Sequence, residues 1–363
     1  MIRSSQGRYY QIRYDMEDYP NAWCYIAVGG RKRGKTYGAL TKYLDDEAPT
    51  IFLRRTNDDV RLLCSGNSLA AKTGDYEIDL SPYKSINRDR GTKIKAFKID
   101  DGIGAFYHVG SEGQATGTPV SYLLSLNANK KTKGFDLSEC EAMIFDEFIP
   151  MFGERTSRRE GELVLDLYMT ASRDRVSRGR GDLKLLLLAN ATDIYNPMFA
   201  VLEIVDVVAE MLAKGKEILY LEDKEILIHV VPEGDAKEEN ERSGIYKAMK
   251  NTAWGRVSFS NEFAYNDFSR IKRMPMKGMK TMAKFRYKNR EYFLHLNDAG
   301  VYYVSGSKQE APKEYNLDQE LGAKSFYYDF VSEVVWAGTE NRAFFSSYLL
   351  YDMFVNYKQR FKM

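Results

Sequence analysis

The chain has 363 residues, 44% hydrophobic and 29% charged, with 53 Lys and Arg against 51 Asp and Glu for a net charge of +2. Such a composition excludes disordered and collagen-like classes, the length predicts two domains, and near-neutrality leaves any polyanion contact to local clustering. Cys24, Cys64 and Cys140, with His108, His229 and His295, are too few and scattered for a disulfide framework, a zinc site or a His-based triad, so the cysteines read as reduced thiols. The N-terminal MIRSSQGRYYQIRYDMEDYP has no apolar signal region and no stretch reaches membrane-spanning length, so a cytosolic protein with no membrane partner is expected.

In chain order, Trp23 to Val28 (WCYIAV) reads as a buried central strand. It leads into Gly29-Gly30-Arg31-Lys32-Arg33-Gly34-Lys35-Thr36, which fits the phosphate-loop (Walker A) pattern G-x-x-x-x-G-K-[ST] at every fixed position. A helix from Thr36 to Leu44 follows, completing the strand, loop and helix order that lets backbone N–H groups wrap a β-phosphate. In that reading Lys35 reaches the β- and γ-phosphates and the Thr36 hydroxyl holds Mg²⁺. Thr50 to Leu53 (TIFL) is a second strand, ending in Arg54-Arg55.

Ala142 to Ile149 (AMIFDEFI) is a third buried strand, with Asp146 and Glu147 at its carboxyl end, where ligands gather in open α/β sheets (the Walker B position). Asp146 is the candidate Mg²⁺ carboxylate and Glu147 the residue that polarises the attacking water. Adjacent Asp-Glu marks the additional-strand (ASCE) class of P-loop NTPases, and no N-K-x-D motif occurs, so ATP is expected rather than GTP. Leu163 to Met169 reads as a helical segment. Lys184 to Ala189 (KLLLLA) reads as a further strand whose following residue, Asn190, is either a γ-phosphate sensor or the cap of a turn.

Val201 to Leu212 reads as one helix, Ile226 to Val231 (ILIHVV) as an edge strand, and the charged run Glu233 to Arg242 as an exposed loop or helix start. Thr281 to Tyr287, Glu291 to Leu296 and Gly300 to Ser305 form an antiparallel meander, and Phe344, Phe345, Tyr348, Leu349 and Tyr351 to Tyr357 give an apolar helical face. The expected fold is therefore α/β: an additional-strand P-loop NTPase with a parallel central sheet at 1–231, a lid or linker at 232–268, and a smaller α+β domain at 269–363.

The segments MIFDEFIP, LLLLANATDIYNPMF and IFLRRT, followed by VSFSNEF, DAGVYYVS and SSYLLYDMF, resemble the DNA-packaging ATPases of phi-29-like tailed phages, short relatives of terminase large subunits. The resemblance covers nearly the whole chain. It implies an ATP-driven motor that pushes double-stranded DNA into a prohead as a homomeric ring, usually a pentamer. Its site would be the portal vertex in the host cytoplasm, where a structural RNA is a further candidate partner. It also implies that basic residues complete a neighbour's ATP site: an arginine finger at Arg173, with Arg175 next, and a second cation at Lys130 or Lys131. The last domain then resembles an RNase H-like nuclease. Met282 to Tyr287 would be its first strand and carries cations where two-metal cleavage needs an acid, so a vestigial, non-cutting domain is expected.

A motor gripping duplex DNA does so through phosphates. Candidate patches are Lys84, Arg88, Arg90, Lys93, Lys95 and Lys98; Arg155, Arg158 and Arg159; and the segment from Arg270 to Lys280. Two other readings stand beside the motor: another P-loop ATPase such as a helicase or plasmid-partition ATPase, and a vertex structural protein that binds ATP without turnover.

Overall fold

The computed structural model describes residues 3–5, 9–73, 79–132, 134–150, 156–157, 159–191, 193–232, 241–252, 255 and 269–363. The chain divides into two compact units, one running to Leu202 and resuming at Gly215, the other made of Glu203–Lys214 and the chain from residue 266 onward.

The first unit is built on a sheet whose strands are β1 (Cys24–Gly29), β2 (Thr50–Arg54), β3 (Ile94–Asp100), β4 (Ile103–Val109), β5 (Ala115–Ser125), β6 (Ala142–Asp146), β7 (Lys184–Ala189), β8 (Ile218–Leu221) and β9 (Ile226–Val231). Among the described residues their order is β3-β4-β5-β2-β6-β7-β1-β9-β8. The strands from β5 through β9 in that order are mutually parallel, whereas β3, β4 and β8 are joined to their neighbours antiparallel. Parallel strands are buried on both faces, which is why β1, β6 and β7 are apolar runs rather than alternating ones. On one face Tyr25, Ala27, Phe52, Ile144 and Leu186 pack against Ile12, Leu40, Tyr43, Val60 and Ile86. These last come from helices α1 (Ile12–Asp18), α2 (Lys35–Asp45), α3 (Asn57–Thr73) and α4 (Lys84–Arg90). Their strand neighbours Ile26, Met143, Phe145, Leu185 and Leu187 turn to the other face and are equally buried.

β7 lies between β1 and the acidic strand β6, paired with both. One expectation about this sheet is corrected. Ile226 to Val231 was expected at the edge, but β9 is sandwiched by β1 and β8, and β8 caps that side. The buried run of β9 needs two neighbours; the half-exposed β8 tolerates one.

The N-terminal segment is latched to β9 by a buried polar cluster. His229 Nδ1 lies 2.7 Å from Asp15 Oδ2 and its Nε2 2.9 Å from Ser5 Oγ, while Tyr10 Oη donates to Asp15 at 2.6 Å. The groups line up as serine, histidine and carboxylate do in hydrolases, yet Ser5, Asp15 and His229 are all buried. The cluster therefore acts as a structural clasp with no access for a substrate.

The run read as one helix at Val201 to Leu212 is two, α7 (Pro197–Val201) and α8 (Val205–Ala213), and α8 belongs to the second unit rather than the first. The Asp206 carboxylate accepts the backbone N–H of Leu349 at 3.0 Å, at the start of helix Tyr348–Val355, and Glu203 pairs with Arg290 at 2.7 Å. Most of the segment read as a lid, including 233–240 and 256–268, lies outside the described residues.

The second unit carries the sheet β13-β10-β11-β12-β14, with β10 (Met279–Tyr287), β11 (Arg290–Asn297), β12 (Tyr302–Ser305), β13 (Glu314–Asn316) and β14 (Ala343–Phe345). The meander β10-β11-β12 is antiparallel, as expected, while β13 adds parallel to β10 and β14 parallel to β12. Lys288 and Asn289 both take positive φ (49° and 58°), the two-residue hairpin geometry that follows the right-handed twist of strands. Phe344 and Phe345 were expected on a helix but form β14; the helical run begins at Tyr348. Phe285, Phe326 and Phe354 meet at the centre of this unit's core. No helix among the described residues is long and apolar enough to cross a membrane.

His295 is wholly buried on β11, 3.1 Å from Thr281 Oγ1 and 3.2 Å from Ser305 Oγ. Burial holds its imidazole down at about 4. The unfolded chain therefore binds the extra proton between about pH 6.5 and 4, and stability falls as pH drops through that window. Denaturant titrations should show the second unit losing up to about 3 kcal/mol from this group, less in His295→Asn, with a flatter difference between pH 7 and 4.5. Identical pH slopes in the two proteins would contradict this.

Candidate nucleotide and catalytic site

The loop between β1 and α2 contains the left-handed residues Lys32 (φ 62°) and Gly34 (φ 75°). A Cβ at Gly38, one turn into α2, would sit 2.7 Å from the Tyr10 carbonyl oxygen, so α2 approaches the α1 segment at a distance only glycine permits. Arg31 and Lys32 are exposed, Arg33 is 2% exposed, and Lys35 is buried. The Lys35 ammonium donates to the carbonyls of Gly29 (3.0 Å) and Gly30 (2.8 Å), folded back into its own loop. Burial pulls it down to about 8; the Asp146 carboxylate opposes that shift, and Arg33 and Arg31 add to it.

The Thr36 hydroxyl donates to Asp146 Oδ2 at 3.0 Å. Residues 110 apart in sequence are thus joined, and the loop after β1 meets the end of β6 across the end of β7. Burial and then the adjacent Glu147 raise the Asp146 carboxyl, against the influence of Arg54, the Thr36 hydroxyl and Lys35. Both shifts have one meaning: the pocket disfavours its own charges. A polyphosphate beside Lys35 and a hard divalent cation beside Thr36 and Asp146 are the opposite charges that would relieve it, and oxygen donors suit such a cation.

Glu147 takes φ 58°, a left-handed conformation that costs a residue with a Cβ about 1–2 kcal/mol. Its peptide is held by its own N–H on Asp146 Oδ1 (3.1 Å), by Phe148 N–H on the Leu188 carbonyl (3.2 Å), and by the Arg55 guanidinium on the carbonyls of Glu147 (3.1 Å) and Phe148 (3.2 Å). The exposed Glu147 carboxylate lies 3.4 Å from Arg54 Nη2. Arg55 also binds Glu160, the first residue of α6 (Glu160–Ala171), at 2.7 and 3.0 Å. Sequence reading placed Arg54 and Arg55 at the strand end but gave them no role, and it missed Glu160. The signal was there: two cations closing a strand parallel to the one that ends in Asp-Glu. Asn190 follows β7, half-buried, between the ends of β1 and β6.

The other sequence-singled cations separate cleanly. Arg175 is 1% exposed and bonds the carbonyls of Ser138 (2.9 Å), Cys140 (2.5 Å) and Gly181 (3.1 Å) and the Glu141 carboxylate (2.6 Å). It is a structural brace of its own subunit, which corrects its place as a candidate finger: a buried side chain with all three nitrogens bonded inside its own chain is not extended toward a neighbour. Arg173 is exposed in the turn after α6. On α5 (Asn129–Thr132), Lys130 and Lys131 are both exposed, and Lys131 pairs with Asp100 at 2.9 Å. Arg175 and Arg180 grip residues 138–141, just before β6 begins, so the Arg173 turn lies at the opposite end of the sheet from the Thr36–Asp146 contact. A cleft of about 660 Å³ opens at that same far end, lined by Lys42, Glu141, Arg180 and Asp182, and its several carboxylates make it a poor home for phosphate.

Of the candidate DNA patches, Lys84, Lys93 and Lys98 are exposed, while Arg90 is paired with Asp45 and Arg159 with Glu162. Arg155 and Arg158 lie outside the described residues. In the third patch Lys272 sits 3.6 Å above the Phe344 ring and Lys280 pairs with Asp298.

Residues 110–320 match the family model described as podovirus DNA encapsidation protein (Gp16). The chain belongs to that family. Two solved structures share the fold over nearly all of it: the phi-28 gp11 DNA packaging motor, 18% identical over 98% of each chain with a TM-score of 0.59, and the bacteriophage phi-29 viral genome packaging motor assembly, 16% identical over 98% of this chain and 100% of that one with a TM-score of 0.65. No curated protein gives a sequence match. A packaging-motor homologue with a large, mostly parallel sheet is thus what the Gp16 assignment and the fold establish together.

The two neighbouring arginines give a direct test. Arg175→Ala should lose on the order of 3 kcal/mol in denaturant unfolding, because it strands buried carbonyls and a carboxylate. Arg173→Ala should stay within about 0.5 kcal/mol of the parent. Equal effects of the two substitutions would undo the distinction.

Proposed function

We propose that this Gp16-family chain is an ATP-driven translocase that feeds double-stranded DNA into a prohead, as a homomeric ring at the portal vertex. The observation that carries the reading is the 3.0 Å Thr36–Asp146 contact, which joins a phosphate loop to a metal carboxylate. The strand order β9-β1-β7-β6-β2 supports an additional-strand P-loop class, since one strand separates the loop strand from the acidic strand. Lys35 and the loop amides bind the triphosphate of the substrate; Thr36 and Asp146 are the residues that would hold Mg²⁺. When bound, that ion supplies positive charge which offsets the phosphates. Glu147 orients the attacking water and accepts its proton, once its carboxylate leaves the Arg54 guanidinium beside it.

Arg173 and Lys130 are the exposed cations suited to act on a neighbour's nucleotide, and Asn190, at the end of the intervening strand, suits a γ-phosphate sensor. The proposal includes a pentamer docked at the portal, with a structural RNA as a further candidate contact; membership of the encapsidation family favours it. In the second unit β10, β11 and β12 form a meander with β13 parallel to β10, as an RNase H-like fold would have. Lys284 of β10 pairs with Glu314 (2.9 Å) and Glu291 (3.4 Å). No group of three acids, histidines or cysteines placed to hold a metal occurs among the described residues. The cation Lys284, standing on the first strand of the meander where two-metal cleavage needs an acid, is what favours a vestigial, non-cutting role.

The test is ATP turnover with and without duplex DNA across salt, together with prohead filling. Turnover should rise with DNA and fall steeply with salt. Lys35→Ala should abolish it, and Glu147→Gln should bind ATP but lose at least about a hundredfold in rate. Subunits carrying Arg173→Ala mixed with Lys35→Ala subunits should regain activity if sites are shared. Strand displacement from a tailed duplex would favour a helicase, and unchanged turnover in Glu147→Gln would remove Glu147 from its role.

A further inference from the structure

We infer that Arg55 is the positioning residue of the hydrolytic turn: it holds the Glu147 peptide in its left-handed conformation and fastens that turn to α6. The inference rests on the reading of Glu147 as the residue that orients water.

Arg54 and Arg55 are consecutive, yet they do different work. Arg54 meets the Glu147 carboxylate in a half-open setting, with side chains 23% and 53% exposed. Arg55 and Glu160 are 13% and 3% exposed, and their contact is a two-pronged one. The same guanidinium reaches the carbonyl oxygens on either side of the Glu147–Phe148 junction and lies 5.7 Å from the Phe145 ring. One planar group thus spans the last apolar residue of β6, the peptide after Asp146, and the start of α6. A buried carboxylate is costly unless paired, so Glu160 makes sense where it is only as Arg55's partner. Residue 147 has a Cβ and would leave φ 58° without restraint; the two carbonyl bonds from Arg55 are the side-chain part of that restraint, beside the N–H bonds to Asp146 and Leu188. Because α6 ends at the turn carrying Arg173, the clamp also links the hydrolytic turn to the segment proposed to serve a neighbour.

A lysine at 55 keeps the charge but loses the planar fork, and glutamine at 160 keeps the shape but loses the charge. In the full-length chain with duplex DNA, Arg55→Lys and Glu160→Gln should each lower kcat about tenfold or more, while the Kd for a fluorescent ATP analogue stays within about twofold. Adding Arg55→Lys to Glu147→Gln should change the residual rate by less than about twofold, since a residue acting through Glu147 has nothing left to position. Should Arg55→Lys fold poorly in thermal melts, Glu160→Gln carries the comparison. Parent-like kcat in both variants overturns the inference, as does a loss that multiplies undiminished onto Glu147→Gln, which marks a merely structural residue. Turnover that survives both Lys35→Ala and Glu147→Gln instead overturns the reading beneath it, and is told apart because it involves no change at 55 or 160.

Discussion

The hydrogen bond from Thr36 to Asp146 is the constraint around which the first unit is arranged. Strands in a sheet lie about 4.8 Å apart, so with β7 between them β1 and β6 are separated by roughly 10 Å. A side chain on β1 itself could not cross that gap. Thr36 crosses it because the loop carries the chain beyond the strand end and over the end of β7, and because α2 starts there. The spacing also explains why β7 stops at Ala189: a longer strand would wedge its side chains into the space where the loop and the acid meet. What looked in sequence like two local motifs is one object, and the intervening strand is its ruler.

Charge in this protein is sorted by burial rather than by amount. Arg54 and Arg55, and Arg173 and Arg175, are near neighbours in sequence, and each pair divides into a member engaged inside the subunit and a more open one, whereas Lys130 and Lys131 are both exposed. Arg54 and Arg55 follow one another at a strand end, where successive side chains point to different sides, and so they meet different partners. Arg55 and Arg175 each satisfy both backbone carbonyls and a carboxylate. Raised Asp146 and lowered Lys35 belong to the same pattern from the other side: they are charges that burial disfavours although each has hydrogen-bond partners, an arrangement that recurs at functional sites.

Much of this was legible beforehand, for identifiable reasons. The glycine loop, the apolar strands β1, β6 and β7, and the meander of the second unit are written in local composition and period, which survive without tertiary context. Strand neighbours are not local, so the position of β7 between β1 and β6 and the inner position of β9 needed coordinates. Phe344 and Phe345 fit a helical face equally well, and only pairing with β12 decides them. The clasp of Ser5, Asp15 and His229 draws on residues more than 200 positions apart, and Arg175 looked as available as Arg173 until its carbonyl partners appeared. The roles of Arg55 and Glu160 depend on a turn whose strain no sequence pattern announces.

The placement of the Arg173 turn has a consequence for assembly. It stands at the strand-start end of the sheet, with all of α6, about 18 Å of helix, separating it from the Glu147 turn. A cation there is too far away to serve a phosphate bound beside Lys35 of its own chain. Copies that lend it to one another must join unlike faces, head to tail, and no two-fold dimer satisfies both members at once. Such heterologous contacts either close into a ring or grow without limit, so the angle at which one copy meets the next decides between a finite machine and a filament.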